Sequence, residues 1–174
     1  KIYEQGGELS RLYFGQEFCQ HLIPSPEEVL QAAFAARQLG WQFTYVTGSV
    51  TDAGLDRTTA NLEALNEADL TCEVTVNDWG VLRRLHQEFP EFSTTIGRLL
   101  LRQQRLARFA DVVSRPVNTR GIQAPESTVR ANQCQVLRST NISNPAYRKR
   151  LIDSGVQRLD VDVVPQGMDL PADA

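Results

Sequence analysis

The side chains of this 174-residue chain best suited to chemistry are Glu17, Cys19, His21, Asn77, Asp78, Arg98 and Asp162. A thiolate at Cys19 would ligate iron or act as a nucleophile. Cys19-x-His21 has the spacing of a metal-binding pair, but a structural metal site wants about four ligands, and no third stands nearby in sequence. The bland alternative is that Cys19 is a buried apolar cysteine. Asp78, before a helical run, suits a helix cap, and Asn77 suits the turn that precedes it. His86 lies near the end of a helical run, where a cation suits the dipole.

Several familiar arrangements are excluded. There is no G-x-S-x-G elbow for a serine nucleophile. Gly48-Ser49-Val50-Thr51 is not a phosphate loop, and Gly6-Gly7 precedes the first strand rather than following it, so no dinucleotide fingerprint is present. Three scattered cysteines, Cys19, Cys72 and Cys134, make neither a disulfide framework nor a complete iron–sulfur ligand set. Sparse cysteine usage points to a reducing compartment, hence a cytoplasmic location. The net charge of −3 disfavours nucleic acid as a partner. No apolar run approaches the roughly 18 residues of a membrane span, and the start KIYEQGGELS lacks a basic end followed by an apolar stretch.

Arg98, Arg102, Arg105 and Arg108 are spaced four, three and three apart. On a helix over 97–109 they share one face, which would suit an acidic partner or simply meet solvent.

These residues need a scaffold, and the sequence supplies one. Short β-rich runs at 11–15, 41–46, 71–76, 92–96 and 156–164 alternate with helical patterns. Ser25-Pro26-Glu27-Glu28 reads as a capped helix start and Leu39-Gly40 as its end. Further helices are expected over 56–67, from Asp78 to Pro90 and over 144–154. The pattern decays over 110–143, which reads as a long irregular insertion in one α/β domain spanning 1–174. Strand starts near 11, 41 and 72 recur about every 30 residues, the period of a parallel (β/α) array. Two architectures fit: an open doubly wound sheet, which length alone favours, and part of a TIM-type barrel with about five strands.

In parallel α/β proteins, sites form where strands end. Gln16, Glu17 and Cys19 then follow strand one, Thr47 and Ser49 strand two, and Asn77 and Asp78 strand three. Arg98 follows strand four, while Asp162 and Gln166 lie at strand five. This mixture suits a small polar or anionic ligand, with Arg98 as the anion clamp.

Four segments, read in order, carry a resemblance. Leu12-Tyr13-Phe14-Gly15-Gln16-Glu17-Phe18-Cys19 resembles the first strand of the collagenase-like U-type peptidase family. It is closest to iron–sulfur relatives that hydroxylate ubiquinone precursors without oxygen. Glu73 to Leu82 resembles the third strand and its N-D-x-G turn, Ser93-Thr94-Thr95 the fourth strand, and Gly155 to Asp160 the start of the fifth. The resemblance implies a (β/α) barrel of which this chain holds the first five strands. It also implies Cys19 as a cluster ligand, with the remaining ligands outside this chain. The family's R-E pair near strand five is replaced here by Leu159-Asp160-Val161-Asp162, which argues against peptidase chemistry. The function expected is therefore that of a U-type peptidase-like protein assisting hydroxylation or other modification of a quinone precursor or RNA. A non-catalytic scaffold using the arginine stripe and a peptidase are the alternatives. An unclosed barrel leaves strand edges that favour self-association.

Overall fold

Short β-rich runs pair into one parallel sheet. Its strands are β1 (Arg11–Gly15), β2 (Gln42–Val46), β3 (Glu73–Val76), β4 (Ser93–Ile96) and β5 (Val156–Leu159). The computed structural model describes residues 9–105, 121 and 125–171. The spatial order is β1-β2-β3-β4-β5, and every neighbouring pair is parallel. A doubly wound sheet reverses its order at a switch point. This one advances in a single direction, the winding of a (β/α) barrel, and five strands leave it unclosed.

The helices α1 (Pro26–Gln38), α2 (Asp52–Glu67) and α3 (Trp79–Glu88) follow β1, β2 and β3. Ser25 closes a capping box on α1: its hydroxyl accepts from the Glu28 amide at 3.3 Å, and the Glu28 carboxylate accepts from the Ser25 amide at 2.8 Å. α2 begins four residues before the expected Asp56. Its first turn is tied by Gln20, whose side-chain oxygen accepts from the Thr51 amide at 2.8 Å. That partner is distant in sequence, so no local pattern announces it. Val29, Ala33 and Ala36 of α1, Leu62 and Leu65 of α2, and Val81, Leu82 and Leu85 of α3 are buried, as are Tyr45, Val74, Val76 and Ile96 of the sheet. Alternation places those sheet residues on one face, toward the helices: the Asn61 amide of α2 donates to the Tyr45 hydroxyl at 2.7 Å.

The helix expected over 97–109 is replaced at 98–101 by turns and a bend. Its amides find other acceptors: Leu99 donates to the Asn77 side-chain oxygen at 2.9 Å, and Arg102 to that of Asn141 at 3.0 Å. Gln103 forms an isolated antiparallel bridge with Thr140. The irregular stretch expected over 110–143 contains a helix, α4 (Glu126–Arg138), braced by a Glu126–Arg130 pair at 2.9 Å. None of its residues is fully buried, which is why its apolar period is weak. A last helix, α5 (Pro145–Asp153), is capped by Asn144.

The chain divides into two compact units. One comprises Lys1–Leu100 with Gly155–Asp160 and holds the whole sheet; the other comprises Leu101–Ser154 with Val161–Ala174. Leu101, Ile142 and Leu151 are buried in the second unit. Among the described residues, no helix is long and apolar enough to cross a membrane.

Candidate functional site: the polar inner face of the sheet

Strand alternation puts Arg11 and Tyr13, Thr44, Glu73 and Thr75, Thr95, and Arg158 on the sheet face opposite the helices, with Asp160 one residue beyond β5. Barrel interiors are usually filled by branched apolar side chains; this face is polar.

Its first layer centres on Glu73. One carboxylate oxygen accepts from Arg11 at 2.9 Å and from the Thr44 hydroxyl at 3.0 Å, and the other accepts from Arg158 at 2.7 Å. The long side chains come from odd strands and reach across β2 at Thr44 and across β4 between Ser93 and Thr95. This matches the rule that a barrel layer is built from alternate strands. The second layer repeats it: the Thr75 hydroxyl of β3 donates to the Asp160 carboxylate at 3.2 Å, crossing β4 at Thr95. The Thr95 hydroxyl is buried and has no hydrogen-bond partner among the described residues.

The charges differ in reach. The Glu73 side chain is 8% exposed, whereas those of Arg11 and Arg158 are 20% and 48% exposed. An approaching molecule therefore meets guanidinium rather than carboxylate. The Glu73 carboxylate raises the Arg158 pKa further, and nearby Tyr13 adds to the effect. The Asp160 carboxyl titrates above the usual Asp value. Desolvation is the main cause, the Thr75 hydrogen bond opposes it, and Glu73 adds repulsion.

The site residues expected from sequence have different fates. Glu17 and Arg98 meet in a fork: Arg98 Nε donates to both Glu17 oxygens at 2.8 and 2.9 Å, and Nη2 lies 2.6 Å from Oε2. The guanidinium also sits 4.7 Å from the Phe18 ring centroid. The pair joins the loops after β1 and β4, so Arg98 is a clasp for Glu17 rather than a clamp waiting for an anion. Asn77 is buried and spent on backbone, donating to the Thr47 carbonyl at 2.8 Å and accepting from the Leu99 amide. Asp78 caps α3 through the Gly80 and Val81 amides. Both take the bland roles that helix chemistry offers.

Asp162 belongs to the second unit. There its carboxylate pairs with Arg105, and its backbone exchanges two hydrogen bonds with the Gln103 side chain. Gln166, also in that unit, donates to the Gln104 and Leu137 carbonyls. The acid at the end of β5 is instead Asp160. Arg98, Arg102 and Arg105 share no helix face, because the helix is absent over 98–101, and Arg108 lies outside the described residues.

Cys19 is half-buried before a short turn at Gln20–Leu22. Among the described residues no three His, Cys, Asp or Glu side chains are grouped to hold a metal ion. An iron–sulfur cluster therefore does not fit these residues alone; Cys19 would be one ligand of several. His86, expected to favour its cationic form, has its pKa lowered by burial. Burial pushes the Cys72 thiol up to about 12, so it stays a thiol. Cys72 lines a cavity of about 550 Å³ at the N-terminal ends of the strands, with Arg11, Arg37, Trp41, Asp69 and Glu91. That side of a barrel ordinarily serves stability.

Sequence reasoning passed over Arg11, Glu73, Arg158 and Asp160. The signal was available: strands of an all-parallel sheet are covered on both faces and read as near-continuous apolar runs, so Glu73-x-Thr75 and Arg158-x-Asp160 mark a polar face. No protein-family model, curated protein or solved structure matches the chain.

Proposed function

We propose that the chain is part of a (β/α)-barrel protein resembling the U-type peptidase family, and that it binds a small polar or anionic ligand on the inner face of its sheet. The observation that carries this reading is a half-exposed Arg158 beside the half-buried Asp160, on a face where apolar filling is the rule. Arg158 would hold the ligand and Asp160 would accept or donate a hydrogen bond. Thr75 fixes the Asp160 carboxylate, and the Glu17–Arg98 clasp steadies the loops at the strand ends. The family resemblance adds modification of a quinone precursor or RNA, in the cytoplasm, as the activity of the whole protein. No step of that chemistry is derived from Cys19.

The arginine-stripe scaffold is less well supported, since Arg98 and Arg105 engage Glu17 and Asp162 and lack a common helix. Amide chemical-shift mapping with a panel of small acids, amines and alcohols tests the site. Shifts at Thr75, Thr95, Arg158 and Asp160 are expected. A panel that leaves all four unmoved sinks the proposal.

A further inference from the structure

We infer that the group recognised on the inner face is the carboxylate of a small organic acid, with Arg158 as its charge partner and Tyr13 flanking it. This rests on the ligand-binding reading above and narrows its chemistry. Three observations carry it. First, the acid of the Arg11–Glu73–Arg158 layer is the buried member, and its two oxygens already accept three hydrogen bonds. The guanidiniums are the reachable members. Arg158 commits donors to Glu73 and Tyr13 while half its side chain meets solvent, and its five N–H groups leave others for a second carboxylate.

Second, Tyr13 is 47% exposed on the same face, beside Arg158 and with the Arg11 guanidinium 6.0 Å from its ring centroid. It offers an aromatic wall to the organic part of an acid. Third, the groups facing Asp160 are Thr75 and Glu73 of β3, Arg158 of β5 and Glu17 of the loop after β1. Desolvation and the neighbouring Glu73 and Glu17 carboxylates raise its pKa, so proton uptake when an anion arrives costs less than at an ordinary Asp. The Arg98 guanidinium is spent on Glu17 and does not compete.

The test uses three probes of similar size and one ring: phenylacetate, phenethylamine and 2-phenylethanol. Phenylacetate is expected to shift the Thr75, Thr95, Arg158 and Asp160 amides, and the other two to leave them in place. Arg158→Gln should weaken phenylacetate about tenfold, the loss of one charge-assisted contact, and Arg158→Lys should retain part of it. Asp160→Asn should tighten phenylacetate severalfold, because a like charge is removed and an amide donor takes its place. Tighter binding also shows that the variant is folded. Phenethylamine binding at these amides, abolished by Asp160→Asn, would overturn the carboxylate assignment and leave the inner-face site standing. Silence from all three probes and from the wider panel removes the site and this inference together.

Discussion

Glu73 is the residue on which the inner face depends. It holds two arginines and a threonine from three other strands while almost wholly buried. Removing one partner of a buried ion pair leaves charge uncompensated. Glu73→Gln should therefore cost about 3 kcal/mol, read from urea denaturation. Asp160 acts in the opposite sense. Its folded pKa is raised, so the folded state holds the proton more tightly than the unfolded chain, and ionisation costs stability above the unfolded value. Asp160→Asn should raise the melting temperature near pH 7 and leave it little changed below about pH 3.9, the ordinary Asp value. His86 has its pKa lowered, so stability is lost as pH falls through the ordinary histidine value of about 6.5. Thermal scans between pH 7 and 5 should show that loss, and His86→Gln should flatten it. At this scale the sequence was only partly legible. Asn77 and Asp78 read as chemistry yet serve a turn and a cap, because capping demands the same polar side chains that sites do. Glu73 and Arg158 are hard to see in the sequence because only the face each occupies, not the composition of its strand, marks it.

The elements were easier to read. Ser25-Pro26, Asp78 and Asn144-Pro145 each mark a helix start where the structure has one. α4 escaped because it buries no residue, and the supposed helix after β4 failed because Asn77 and Asn141 capture its amides. The contact between Asn77 and the β4 turn sets a sharp size limit. A Cβ at Gly97 would lie 2.3 Å from the Asn77 side-chain oxygen, and that side chain is held in place by one hydrogen bond accepted from the Leu99 amide and one donated to the Thr47 carbonyl. Gly97→Ala should destabilise by about 2 kcal/mol, measured by thermal or urea unfolding, whereas the same change at solvent-facing Gly40 meets no atom within 4 Å, though its φ of +70° carries a backbone cost.

For the whole molecule, the parallel alternation of strand and helix was legible from spacing alone, and the strand order then decided between two windings that spacing could not separate. Among the described residues, β1 and β5 each have a neighbour on one side only. Their free edges are expected to pair with another copy, so sedimentation should reveal concentration-dependent association, and a strictly monomeric species would contradict it. One further property follows from where β5 lies in the sequence. Strands β1 to β4 are complete by residue 96, but the fifth arrives only at residue 156, after the chain has traversed a separate compact unit. During synthesis, the ribosome finishes β1 to β4 well before β5 exists. Loop-closure entropy then makes docking of that strand the slow step of refolding. Pulse-labelled hydrogen exchange should find Asp160, whose amide donates to the Ile96 carbonyl, among the last amides protected. Until then the nascent protein presents the bare flank of β4, the moment at which quality-control factors would have most to recognise.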